Sequence, residues 1–178
     1  MVNSNFTLHY DGVCVYANIK IKISVLAKFI LMFLNVALIS IIVLFASSGV
    51  GIAAVFFTLI QVFLLKYTLW NLYGTENLII NTKSISYQYG YGFFVTTMTT
   101  LMIHKAVKLG HFNSIKGGEQ NYMNFLFSTF DDAHLPTHIY QSTLKISETE
   151  YQQLVEAVDH LYLDQLSEDF LMPVIHMN

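Results

Sequence analysis

Polar and apolar positions divide the chain into three kinds of segment. Residues 6–10 and 13–23 carry alternation, clearest where Ile19, Ile21 and Ile23 interleave with Lys20 and Lys22. Period two predicts two strands, and Asp11-Gly12 between them is hairpin-turn chemistry. From Phe29 to Leu65 alternation gives way to an uncharged run of 37 residues, broken once by Ser47-Ser48-Gly49. A bilayer core of about 30 Å takes roughly 20 apolar residues as helix. The run therefore predicts two spans, at about 29–46 and 49–70, joined by a tight turn. Every backbone polar group in lipid must find its partner internally, which a helical hairpin achieves.

After Gly74 the pattern returns to short strands. Leu78-Ile79-Ile80 and Ile85-Ser86-Tyr87 flank an Asn81-Thr82-Lys83 turn, and Gly90-Tyr91-Gly92 marks another. Phe93 to Met102, Tyr122 to Phe130 and His138 to Leu144 complete about seven predicted strands. His104 to Leu109 reads as a further strand or a connecting turn. Ser147-Glu148-Thr149-Glu150 is a capping box. Tyr151, Leu154, Val155, Val158, Leu161 and Tyr162 then recur at helical spacing, which predicts a helix over 148–163 packed on the sheet. The expected organisation is an N-terminal β-hairpin (1–26) able to join the later sheet, two transmembrane helices (27–73), a β-rich domain with a C-terminal helix (74–163), and a tail (164–178). The fold class is thus a membrane α-helical hairpin plus a cytoplasmic α+β domain, its sheet or barrel closed by one capped helix.

Charge adds sidedness. Lys20, Lys22 and Lys28 precede the first span and Lys66 closes the second, while the connecting turn is uncharged. The positive-inside rule places both termini in the cytoplasm, and Tyr67, Trp70 and Tyr73 read as an interfacial belt. Asn35, Ser40 and Gln61 fall at membrane depth, where such side chains bond neighbouring helices, with a pore lining as the alternative. Two helices make a small bundle, so a homo-oligomer is expected. The spans hold no ionisable residue, which removes a proton relay or charged ion path.

Composition narrows the chemistry. All nine basic residues are lysine, so the bidentate reader of guanine edges is missing and sequence-specific DNA binding is not expected. Cys14 is the one cysteine, which excludes a disulfide framework and a cysteine metal cluster. From Asn77 to Gly118 there are four lysines and no acid, whereas ten acids and one lysine follow Gly118. Within the basic half, His104, Lys105, Lys108, His111, Lys116, Gly117 and Gly118 form the candidate ligand-binding stretch. Glycines beside a lysine let backbone N–H groups approach a phosphate, so a nucleotide or lipid head group is the candidate anion. An ordinary basic face with a Gly-Gly turn is the alternative. Asp131, Asp132, His134 and His138 have metal-ligand chemistry, but Pro136 breaks their spacing and the segment reads as a loop. No metal, cofactor or Gly-x-Ser-x-Gly nucleophile elbow is expected, and an enzyme is not expected either. Tyr87, Tyr89, Tyr91, Phe93 and Phe94 read as strand core, or as a stacking surface for a base if they border the basic stretch.

Two spans, several strands and one capped helix resemble the bacterial pleckstrin-homology-like membrane proteins. The photosystem I assembly proteins of chloroplasts and cyanobacteria share that layout. Local echoes are Leu69-Trp70-Asn71-Leu72-Tyr73-Gly74-Thr75-Glu76 leading into Leu78-Ile79-Ile80, and Leu144-Lys145-Ile146-Ser147-Glu148-Thr149-Glu150. The resemblance implies a bacterial inner membrane and a non-enzymatic sensor or adaptor that binds a protein partner or an anionic ligand. The absence of arginine departs from those families. Architecture alone is also similar to two-span antiphage effectors of CBASS and type III CRISPR systems. That likeness implies an oligomer gated by a cyclic nucleotide or oligonucleotide that permeabilises the bilayer.

Overall fold

The computed structural model describes residues 3–103, 107–117, 120–130 and 136–169. Strands β1 (Asn3–Tyr10) and β2 (Val15–Lys22) precede two helices, α1 (Val25–Ser47) and α2 (Gly51–Tyr73). Then follow β3 (Gly74–Ile80), β4 (Ser84–Tyr91), β5 (Phe94–Val95), β6 (Thr99–Met102), β7 (Lys108–Gly117), β8 (Gln120–Phe130), β9 (Pro136–Gln141), β10 (Ile146–Ser147) and α3 (Glu148–Asp169). The post-hairpin region therefore has eight described strands where the sequence pattern indicated about seven.

The strands form two antiparallel sheets. One runs β1-β2-β3-β4, with β5 and β6 both against β4. In the other, β8 pairs with β7 along one edge and with β9 and β10 along the other. The N-terminal hairpin is an integral half of the first sheet, because β2 pairs with β3 from Val15↔Ile80 to Lys20↔Thr75. A fragment starting at residue 75 would thus lose both strands beyond β3.

Period two explains the core. Val15, Ala17, Ile19 and Ile21 of β2 are buried, while Lys20 and Lys22 point outward. They meet Leu78, Ile80 and Ile85 from the neighbouring strands, Met123, Phe125 and Phe127 from β8, and Leu154, Val158 and Leu161 from α3. Each such side chain contributes roughly 1.5–3 kcal/mol on burial. The capping box forms as the sequence predicts. Ser147 N–H donates to Glu150 Oε2 at 2.7 Å and Glu150 N–H to Ser147 Oγ at 3.4 Å. The helix runs on to Asp169, six residues past its predicted end at 163.

Both α1 and α2 are long and apolar enough to cross a membrane, with mean hydropathy of 2.8 and 1.9 over their most apolar windows. Only 6% of each window is buried, so these are not the core helices of a soluble fold. Ser24 caps α1 through Ala27 N–H, and Gly49 ends it with φ +75°. That left-handed conformation suits glycine.

The hairpin is an insertion between two adjacent strands. Only Ile23 and Ser24 separate β2 from α1, and β3 begins at Gly74, directly after α2. Gly74 caps α2 through its N–H to the Trp70 carbonyl. A Cβ there would lie 2.2 Å from Trp70 O and 2.7 Å from Ile21 Cδ1. The joint is a backbone-to-backbone contact that admits no side chain.

Candidate functional site at the hairpin junction

The basic stretch does not converge on one surface among its described members. Lys108 pairs with Ser128 and His111 with Phe125, so alternation sends them to opposite faces of β7. A bulge between Phe112 and Ile115, where Asn113 has φ 49°, then reverses parity and returns Lys116 to the His111 face. Their β8 partners Ser128 and Asn121 are seven residues apart, so Lys108 and Lys116 lie about 23 Å apart along the sheet, at about 3.3 Å per residue. His111 stacks edge-on to Tyr151 with centroids 5.4 Å apart. Gly117 ends β7, while His104, Lys105 and Gly118 lie outside the described residues.

Within the hairpin the polar residues divide. Asn35 Nδ2 donates to Thr68 Oγ1 at 2.7 Å, and Gln61 Nε2 donates to Asn35 Oδ1 at 2.9 Å. These bonds join α1 to α2, and double-mutant cycles put such pairs at only about 0.6 kcal/mol on average. Ser40 instead returns its hydroxyl to the Val36 carbonyl of its own helix at 3.0 Å. Thr68, absent from the sequence reading, is buried as the third member of the cluster.

Sequence reasoning also missed Glu76. It is fully buried at a core position of β3, opposite Ile19 and in step with Leu78 and Ile80. The Tyr140 hydroxyl donates to its Oε1. Thr143 N–H reaches Oε1 at 3.1 Å and Oε2 at 3.2 Å, and Leu144 N–H reaches Oε2 at 3.0 Å. Burial pushes this carboxyl above its usual range, against the opposing pull of those hydrogen bonds. The carboxylate in turn raises the Tyr140 phenol, which burial raises most.

The loop at 142–144 is held from both sides. Asn124 Nδ2 donates to the Ser142, Leu144 and Thr143 carbonyls at 3.0, 3.3 and 3.4 Å. Glu76 takes the loop's N–H groups and Asn124 its carbonyls, so the two sheets are pinned together three residues beyond the end of α2. The signal for Glu76 lay in parity: the pattern Gly74, Glu76, Leu78, Ile80 is the inward face of one strand.

A groove lies beside this pin. Phe63, Lys66, Tyr67 and Trp70 form one wall, with Tyr89, Tyr91 and Thr143 opposite, around a cavity of about 410 Å³. Trp70 packs on Tyr91 at 5.0 Å and Tyr89 at 5.9 Å between centroids. Thr143 Oγ1 donates to the Tyr89 hydroxyl at 3.2 Å, which links the groove to the Glu76 loop. The predicted aromatic cluster thus splits. Tyr87, Tyr89 and Tyr91 pack against Trp70 and Tyr140, whereas Phe93 and Phe94 are exposed at the turn after β4.

Among the described residues no group of three or more His, Cys, Asp or Glu could hold a metal ion. His138 is exposed and contacts Ser128 Oγ at 3.1 Å, while Asp131, Asp132 and His134 lie outside the described residues. Cys14 is free and half-buried in the β1–β2 turn. Comparison with family models, curated proteins and solved structures finds no match.

Proposed function

We propose that this chain is a non-enzymatic, membrane-anchored sensor or adaptor whose pleckstrin-like domain binds a partner or anionic ligand and passes that state to the hairpin. The observation that carries this reading is the insertion of α1 and α2 between two adjacent hydrogen-bonded strands. Any change in the β2–β3 ladder reaches the roots of both helices without a flexible linker. Glu76 supports the reading further, because it ties β3 to the opposite sheet beside the helix exit.

The proposed address is a bacterial inner membrane with both termini in the cytoplasm. Lys20, Lys22, Lys28 and Lys66 all lie at the domain end of the helices, and the turn at Ser47-Ser48-Gly49 carries no charge. Thiol labelling in intact cells checks this. Ser48→Cys is expected to react with an impermeant maleimide from outside, and Cys14 only after the inner membrane is opened. The reverse pattern would invert the topology.

Coupling is tested with spin labels at Thr7 and Val55 on the full chain in nanodiscs, with Cys14 replaced by serine. Glu76→Gln should shift the distance distribution between domain and hairpin. An unchanged distribution in a folded variant would leave the hairpin an inert anchor. The nucleotide-gated effector reading needs a phosphate cradle in the basic stretch. Lys108 and Lys116 on opposite faces of β7 lend it no support of that kind.

A further inference from the structure

We propose that the groove at the foot of α2 binds the head group of an anionic phospholipid drawn from the surrounding bilayer. The proposal rests on the reading that α1 and α2 span a membrane, and it names a ligand that reading leaves open. Phe63, Lys66, Tyr67 and Trp70 recur at helical spacing, so one face of α2 supplies a whole wall. The uncharged run ends at Leu65. Phe63 therefore sits at hydrocarbon depth, Lys66 at the phosphate level, and Trp70 with Tyr91 beneath them. The groove crosses the boundary between acyl chains and head groups, which is the profile of a lipid and not of a soluble metabolite.

Charge and size agree. Lys66 is exposed and has no carboxylate partner among the described residues. A cavity of about 410 Å³ falls within the usual range for a small organic ligand. Tyrosine hydroxyls and the indole N–H supply donor chemistry for phosphate and glycerol oxygens. The rim is lipid-facing too. Tyr91 pairs with Gly74, so the turn after β4 lies beside the helix exit. There Phe93 is 88% exposed and Phe94 67% exposed, a costly display in water and a favourable one at a bilayer surface.

Trp70 is the single tryptophan and forms part of the wall, so its emission reports occupancy directly. The full chain is placed in phosphatidylcholine nanodiscs, and phosphatidylglycerol is substituted stepwise. A saturable change in Trp70 emission is expected. Lys66→Gln should raise the half-point about five-fold, the worth of one lysine near an anionic surface. Lys28→Gln, on α1 and outside the groove, should leave it unchanged. A response that never saturates, or equal effects of the two variants, would overturn the site in favour of general surface charge. Reproduction of the change by soluble glycerol phosphate would assign the groove to a free anion and overturn the lipid. Acyl-brominated phosphatidylcholine separates the two readings. Quenching of Trp70 with a flat phosphatidylglycerol titration would remove the lipid site and keep the membrane span, whereas no quenching would remove both.

Discussion

Glu76→Ala is expected to cost the domain about 4 kcal/mol. Two buried donors, Tyr140 O–H and Leu144 N–H, and the part-buried Thr143 N–H would lose their acceptor together. Each stranded donor costs roughly 1–3 kcal/mol, and relief of the carboxyl's own burial offsets part of the sum. Thermal unfolding of the full chain in detergent, followed by Trp70 emission, measures the loss. Amide exchange should localise it, with protection at 143 and 144 disappearing first. Glu76→Gln keeps one acceptor and should cost less.

The pH dependence has a definite sign. Burial raises the folded-state carboxyl above its unfolded value, so between the two values the folded protein holds a proton that the unfolded chain has lost. Stability therefore falls as pH rises through that window, starting near the unfolded carboxyl value of about 4.3. Glu76→Gln should flatten the slope. Wild-type stability in the alanine variant would mean that the loop finds other acceptors, and the pin would then have no role.

Gly74→Val should cost about 3 kcal/mol, near the top of the range for overpacking. The added carbon would press on the Trp70 carbonyl and on Ile21 Cδ1, and the first of these is backbone that cannot rotate away. Relief requires α2 to move from β3, so Trp70 emission should shift even where the sheet survives. Gly51→Ala is the matched control. It meets nothing within 4 Å at the start of the same helix, and should be neutral or gain up to about 1 kcal/mol of helix propensity. Equal melting temperatures for the two variants would show that the helix–strand joint is not rigid.

Local chemistry was legible in the sequence and distant pairing was not. Asp11-Gly12, the break at Ser47-Ser48-Gly49 and the Ser147–Glu150 box each contain their own explanation within four residues. Their elements appear where the pattern puts them. The β2–β3 ladder depends on strands on either side of the whole hairpin, so periodicity permits it without selecting it. Glu76 was hidden because Thr75-Glu76-Asn77 reads as a polar approach to Leu78, and its partners come from a loop at 142–144 that no short-range rule connects to it. Lys108 and Lys116 show the opposite error. They look like neighbours in a basic stretch, and a bulge between them reverses which side each faces.

The position of the hairpin between β2 and β3 also fixes an order of events during synthesis. When β1 and β2 leave the ribosome, the inner edge of β2 has no partner, because β3 lies beyond both helices in the chain. An open edge with Ile19 and Ile21 beside it is a template for wrong pairing. On the membrane-spanning reading proposed above, it is covered only after the chain has crossed the bilayer and returned to the side from which it started. On that reading, a chain whose second helix fails to insert would leave β3 on the far side of the bilayer and β2 without its partner. Closure of the sheet would then depend on insertion of both helices.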